Sequence, residues 1–114
     1  MAKKRQEIKN IIGRYIKELR GLGVDISKII LYGSYAKGTP KEYSDIDIAV
    51  VSPTFQKLDI FERQLLLSKA HHKFGEPIEP IGLTPKQFRD KKGFTKEILE
   101  TGIVVPLSLN ICNC

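Results

Sequence analysis

The sequence contains few of the residues that mark secreted, membrane or zinc-binding proteins. Its 114 residues include one methionine, no tryptophan and two cysteines, Cys112 and Cys114. A Cys-x-Cys pair is poorly spaced for a mutual disulfide, and no further cysteine or histidine cluster completes a zinc site. No apolar run approaches the roughly 18 residues of a membrane span, and the first ten residues do not resemble a signal peptide. We therefore expect a cytoplasmic protein without a membrane span and assign no role to the cysteines.

Negative charge is in the minority. The formal net charge is +6 and the isoelectric point is near 9.4, which favours anionic partners such as nucleotides, nucleic acids or acidic proteins. The cations form no dense tract, and solvation of helix faces explains many of them. Basic residues interleaved with aromatics, as in nucleic-acid-binding segments, are absent, although a nucleic-acid partner stays open. The two looser basic groups are 3–5 and the set Arg89, Lys91, Lys92 and Lys96.

The length predicts one domain over residues 1–114, with 41% hydrophobic residues to form a single core. Helices are predicted at 3–22 and 59–73, from Thr84-Pro85 onward, and near 95–101. Strands are predicted at 27–32, 45–51 and 76–83, and the apolar stretch 102–109 is a fourth strand or a tail. This order predicts an α+β (mixed α/β) domain, a small mixed β-sheet with helices packed on it.

Two of these segments carry specific expectations. In the helix at 59–73, Asp59 is the predicted N-cap. The predicted buried side consists of Ile60, Phe61, Leu65, Leu66 and Ala70. The strand at 76–83 contains Pro77 and Pro80, and proline cannot donate to a sheet ladder, so we expect this strand to be bent or to lie at an edge.

Two acids stand at the start of the apolar strand 45–51. Asp45 and Asp47 point to the same face because side chains alternate along a strand, while Ile46, Ile48 and Val50 point to the core. Two neighbouring carboxylates repel one another, and a divalent cation removes that repulsion. A site made only of oxygen ligands favours Mg²⁺ or Mn²⁺ over zinc.

A Gly-Ser turn precedes these acids. Gly33 follows the strand at 27–32, and glycine allows the backbone to approach a ligand closely. A helical turn that starts at Ser34 would direct amide groups outward, toward a phosphate, and Lys37 would add positive charge. Each feature alone is common in proteins without such a function: Gly-Ser is usually a simple turn, Ser44-Asp45 could close a loop, and Lys37 could be solvated. The combination with the two acids is what indicates a metal–triphosphate site.

The stretch "GSYAKGTPKEYSDIDIAVV" resembles the Gly-Ser-x10-Asp-x-Asp motif of the DNA polymerase β-like nucleotidyltransferase superfamily, and the short chain resembles its minimal (MNT) branch. The flanking helices and strands fall where that fold has them. The resemblance implies that Gly33 and Ser34 hold the triphosphate, with Lys37 and Ser44 as further nucleotide contacts. It also implies that Asp45 and Asp47 bind two Mg²⁺ ions, with Mn²⁺ as the alternative.

The resemblance further implies a third carboxylate on a later strand, as a metal ligand and as the base for the attacking hydroxyl. Glu76 and Glu79 are the candidates, and on a regular strand they face opposite sides. Glu79 keeps the parity of Ile81 and Leu83 and precedes "PIGLTP", so we choose Glu79 and keep Glu76 as the alternative. An exposed glutamate of an edge strand is the competing interpretation of Glu79.

The resemblance implies transfer of a nucleoside monophosphate, with AMP from ATP expected, to a hydroxyl group. Minimal nucleotidyltransferases often pair with a small helical HEPN protein as its antitoxin, and they can transfer AMP to a tyrosine of that toxin. The alternative is a non-catalytic module that binds nucleotide or partner and neutralises the partner by contact. Tyr35, Tyr43, His71 and His72 are weaker candidates; packing is the simpler role for the tyrosines and helix-end electrostatics for the histidines.

Overall fold

The computed structural model describes residues 5–40, 45–72, 77–90 and 92–107. Four strands and five α-helices are found in these segments, together with a short 3₁₀ turn after the second strand. None of the helices in these segments is long and apolar enough to cross a membrane. In chain order the elements are α1 Arg5–Gly21, β1 Lys28–Tyr32, α2 Ser34–Lys37, β2 Ile46–Val51, α3 Ile60–His71, β3 Ile78–Leu83, α4 Pro85–Asp90, α5 Phe94–Thr101 and β4 Ile103–Val105.

The four strands form one mixed sheet in the order β3-β2-β1-β4. β1 is antiparallel to both β2 and β4, whereas β2 and β3 run parallel. α3 connects the two parallel strands, as a parallel pair requires a long crossover. The predicted mixed sheet with helices is therefore confirmed, and the apolar stretch after Gly102 forms the strand β4. Among the described strands β3 lies at one edge, as the prolines of the predicted strand 76–83 indicate; Pro80 falls within β3 and Pro77 just before it.

β2 is the centre of the hydrophobic core. Five of its six residues are buried, and Asp47 is the one that is not. Ile46, Ile48 and Val50 pack against α1 and α3 in the larger cluster, as alternation along the strand predicts. The hydroxyl of Tyr15 in α1 donates a hydrogen bond of 2.7 Å to the carbonyl of Leu67 in α3, which joins the two helices.

The opposite face of the sheet carries a second, smaller cluster. Ala49 and Val51 of β2 pack there with Ile30, Leu83 and Ile98, and Ile98 belongs to α5. β2 is therefore buried on both faces, like a strand of a doubly covered sheet. Asp47 and Ala49 lie on the same face of β2. The smaller cluster therefore packs on the sheet next to the acids.

The predicted ends of α3 and α4 are close to those observed. Asp59 caps α3 in a reciprocal capping box with Glu62, in which each side chain accepts from the other residue's backbone amide. Thr84 accepts from the amide of Gln87 and donates its own amide to the Gln87 side chain. Both helix starts follow from short-range chemistry that the sequence shows directly.

The predicted buried side of α3 is wrong for three of its five residues. Ile60, Phe61 and Leu65 are exposed by 76%, 86% and 61%, and Leu66 is only partly buried. The residues that α3 buries are Leu67 and Ala70, which pack against α1. The run Leu65-Leu66-Leu67 covers more than half of the helix circumference, so hydrophobic periodicity alone did not identify the inward side.

The observed orientation of α3, with Leu67 inward and Leu65 outward, can be tested with two matched leucine variants. We expect Leu67→Ala to lower the free energy of unfolding by about 2–5 kcal/mol, because Leu67 is fully buried. Leu65→Ala, two residues away on the exposed side, should change it by less than about 0.5 kcal/mol. Urea denaturation followed by circular dichroism measures both, and equal effects of the two substitutions would contradict the observed orientation.

Candidate active site

Three neighbouring strands place polar side chains in one row across the sheet. Asp47 of β2 lies directly opposite Tyr32 of β1 and, on its other side, opposite Glu79 of β3. Residues directly opposite one another in a sheet share a face, with Cβ atoms about 4.5–5.5 Å apart. Asp45 immediately precedes β2, two residues before Asp47. The sheet therefore brings Asp45, Asp47 and Glu79 together at one end of β2 and β3.

The raised pKa of Asp47 also reflects the proximity of the three carboxylates. Burial raises the pKa of the Asp47 carboxyl, and the neighbouring carboxylates of Asp45 and Glu79 raise the pKa further. Both effects disfavour the charged form, because a half-buried carboxylate loses water and is repelled by like charge. A bound cation would offset both effects, so the electrostatics of this row favour cation binding.

Tyr32 was not predicted as a neighbour of the acids. Its side chain is half-buried, and burial together with the charges of Asp47 and Glu79 raises its pKa to about 12. The phenol is therefore neutral and borders the carboxylates on the β1 side. Tyr32 can be placed next to Asp47 only when the antiparallel register between β1 and β2 is known. That register depends on tertiary structure, so the sequence alone does not reveal the contact.

Gly33 forms the turn between β1 and α2 and lies against Asp47. Its φ of +74° and ψ of −153° belong to a region that only glycine adopts readily. A Cβ at this position would overlap Oδ2 of Asp47 and lie 3.1 Å from its Cγ. Glycine is thus required twice, for the backbone and for the close approach to the carboxylate.

α2 follows as the predicted helical turn. Ser34 is its first residue and is half-buried, and the carbonyl of Gly33 accepts from the amides of Ala36 and Lys37, each at 3.1 Å. Lys37 ends the helix and is exposed. Because Ser34 is the first residue of α2, its amide has no acceptor within the helical turn.

The roles of several predicted site residues are not tested by the structure. Ser44, Tyr43, the alternative Glu76 and the tail cysteines lie outside the described residues. Glu79 is an exposed residue of an edge strand, in agreement with the competing interpretation, yet it also faces Asp47. The roles assigned to these residues stay predictions.

The donor set fits magnesium. It consists of carboxylate oxygens, which hard cations prefer. Among the described residues no three acid, histidine or cysteine side chains surround a single point. Mg²⁺ in nucleotide sites is held by one or two carboxylates, with phosphate and water completing its octahedron. Pairs formed by Asp47 with Asp45 or Glu79 would meet that requirement.

Comparison with known proteins identifies the family. The nucleotidyltransferase domain matches residues 6–105, nearly the whole described chain. The chain belongs to this nucleotidyltransferase family. The resemblance inferred from the Gly-Ser and Asp-x-Asp motif is therefore confirmed, and both halves of the motif fall within the matched range.

A sequence relative of this nucleotidyltransferase is a Methanocaldococcus jannaschii protein provisionally named a protein adenylyltransferase. The two are 32% identical over 83 residues, which cover 69% of this chain and 56% of the relative. The chain thus spans little more than half the length of that relative.

Two solved structures share the fold of this nucleotidyltransferase. A toxin–antitoxin complex with AMP-PNP contains a chain of 28% identity and TM-score 0.57, with 84% of this chain and 70% of that chain covered. A complex of the tri-AMPylated Shewanella oneidensis HEPN toxin with its MNT antitoxin matches at 24% identity and TM-score 0.53, with 89% and 71% covered. The second likeness bears on the fold alone.

Proposed function

We propose that the protein transfers a nucleoside monophosphate, AMP from ATP, to a hydroxyl group. The observation that carries this proposal is the row of carboxylates at Asp45, Asp47 and Glu79 beside the Gly33 turn. Membership of the nucleotidyltransferase family supports it. Two elements that are far apart in sequence, the turn after β1 and the start of β3, meet at this row.

Each residue has a distinct task in the proposed reaction. Gly33 and the amide of Ser34 hold the triphosphate beside the cation site, because the absent side chain of Gly33 allows this turn to lie directly against the Asp47 carboxylate. Lys37 and Ser44 are proposed as further contacts to the nucleotide. Asp45 and Asp47 hold the cations, and Glu79, more exposed than Asp47, accepts the proton of the attacking hydroxyl.

Bound Mg²⁺ would orient the phosphates and stabilise the charge that develops on the attacking and leaving oxygens. The protein contributes the rigid placement of its ligands, because β2 is buried on both sides around Asp47. The hydroxyl oxygen bonds to the α-phosphorus, the bond to the bridging oxygen breaks, and pyrophosphate leaves with that electron pair.

We propose a tyrosine of a small helical HEPN protein as the acceptor, with this chain as its antitoxin. Relatives provisionally named protein adenylyltransferases and the similar chain of a toxin–antitoxin complex with AMP-PNP support the choice. The fold is also shared with the MNT antitoxin of an AMPylated HEPN toxin.

The proposal is tested by incubating the chain with Mg²⁺, ATP labelled at the α-phosphate and the product of the neighbouring gene. We expect label on that protein, and we expect Glu79→Gln to reduce the transfer rate by about 10²–10⁴-fold, the usual contribution of a general base. Glu100→Gln, an exposed glutamate of α5, is the matched control and should leave the rate unchanged.

The same assay separates the alternative. A chain that never labels any protein or nucleic acid, yet still neutralises its partner, would be a binding module. Unchanged transfer by Glu79→Gln would remove Glu79 from the site and leave Glu76 as the next candidate.

A further inference from the structure

A groove of about 530 Å³ lies on the opposite face of the sheet from the carboxylates. Adjacent residues of β1 separate the two: Tyr32 faces Asp47, whereas Leu31 points into the groove. The groove runs between α1, α2 and β4. Its volume is in the range of sites that take a ligand or a short peptide segment, roughly 300–1,000 Å³.

The floor of the groove is apolar and one wall is an open strand. Ile8 and Ile12 of α1 form the floor with Leu31. Ile103 and Val104 of β4 are 47% and 54% exposed. β4 pairs with β1 on one side, and no described strand pairs with its outer edge. Such an edge can accept an added strand from another chain.

The rim of the groove is positively charged. Arg5 and Lys9 lie one helical turn apart on α1, and no acidic residue is found among the described residues that line the groove. An occupant that complements this surface needs an apolar side chain for the floor and carboxylates for the rim. Side chains two residues apart on an extended peptide face the same way, so a single strand can present the apolar side chain and the carboxylates to the groove.

We propose that this groove binds an extended acidic–apolar segment of a protein partner, added as a fifth strand along β4. Main-chain hydrogen bonds to the outer edge of β4 supply binding without sequence preference. The apolar floor and the pair Arg5 and Lys9 select an apolar residue followed by acids at alternate positions. The site is separate from the nucleotide site and does not depend on the proposed transfer reaction.

The two C-terminal segments of the chain, 102–107 and 108–114, do not complement the charge of the groove. The segment 102–107, through which a second copy would pair edge to edge, contains no acidic side chain. Residues 108–114 contain none either. Two copies joined along β4 would also bring like charges at Arg5 and Lys9 toward one another. Charge complementarity therefore favours an acidic segment of a partner over these two segments.

The test uses the full ¹⁵N-labelled chain and the capped peptide Ser-Leu-Thr-Glu-Thr-Glu, with Ser-Leu-Thr-Lys-Thr-Lys as its charge-reversed counterpart. We expect the acidic peptide to shift the amide resonances of Ile103–Val105 saturably at or below about 1 mM. The double variant Arg5→Glu/Lys9→Glu should weaken this binding at least about tenfold.

The double variant Lys57→Glu/Lys69→Glu changes the net charge equally at exposed positions away from the groove, and it should bind as the wild type does. Asp47→Asn should also bind the peptide normally, which separates this site from the transfer reaction.

No shift at β4 up to about 2 mM, or equal binding of the lysine peptide, would overturn the proposal. Binding that appears only after residues 108–114 are deleted would assign the groove to the chain's own tail. Dimerisation that competes with the peptide would assign it to a second copy.

Discussion

Asp47→Asn should abolish nucleotidyl transfer and at the same time stabilise the metal-free fold. Loss of a carboxylate that holds the cations should lower the transfer rate by about 10³-fold or more, equivalent to several kcal/mol of transition-state stabilisation. The gain in stability follows from the raised pKa of Asp47, which burial, Asp45 and Glu79 together produce.

The sign of the stability effect follows from proton linkage. A carboxyl whose pKa is higher in the folded than in the unfolded chain binds its proton more tightly after folding. Stability is therefore lost as the pH rises through the pKa range of Asp47, and at pH 7 the ionised group is a net cost. Asparagine removes the charge, so the melting temperature at pH 7 in EDTA should rise above that of the wild type.

Mg²⁺ reverses this order. A cation that binds only the folded chain raises its melting temperature, so Mg²⁺ with ATP should stabilise the wild type and have little effect on Asp47→Asn. Asp90→Asn, on an exposed residue of α4, is the control and should follow the wild type throughout. Thermal melts at pH 7 with EDTA or with Mg²⁺ and ATP decide the matter. A destabilised Asp47→Asn in EDTA, or one that still transfers AMP, would contradict the assignment.

Gly33→Ala should cost both stability and transfer, by more than backbone strain alone explains. A non-glycine residue at its φ and ψ costs about 1–3 kcal/mol, and the new Cβ would overlap the Asp47 carboxylate. A displacement of Asp47 by about 1 Å is enough to lower the transfer rate roughly 10²-fold.

Gly38→Ala is the matched control, because Gly38 has a φ of +76° and a Cβ added there would meet no described atom within 4 Å. It should cost only about 1–2 kcal/mol for the left-handed backbone and leave the rate of the folded enzyme unchanged. Denaturant titrations and initial transfer rates of the two variants measure the difference. Equal transfer rates would show that the contact between Gly33 and Asp47 has no part in the reaction.

Local chemistry in the sequence predicted most of the framework of the candidate site. The alternation of Asp45 and Asp47 with buried isoleucines determined which face of β2 carries the acids, and parity along β3 selected Glu79 over Glu76. The helical turn after Gly33 and the caps of α3 and α4 also depend on neighbouring residues only.

Features that depend on packing between distant elements were not predictable in the same way. Tyr32 faces Asp47 only because β1 and β2 pair in one of several possible registers. The inward side of α3 was misassigned because three consecutive leucines give no unique apolar stripe; the side that is buried is the one whose Leu67 and Ala70 pack into the core with α1. The groove beside β4 required the sheet order, which no short segment contains.

The burial of β2 on both faces also has a dynamic consequence. The backbone of this central strand is hydrogen-bonded to neighbours on each side, and such strands open only in the rarest, most extensive fluctuations of a protein. Asp47 is thus attached to a part of the molecule that stays ordered whether or not a nucleotide is present. The entropy of ordering this carboxylate is lost during folding, and nucleotide binding does not have to supply it again.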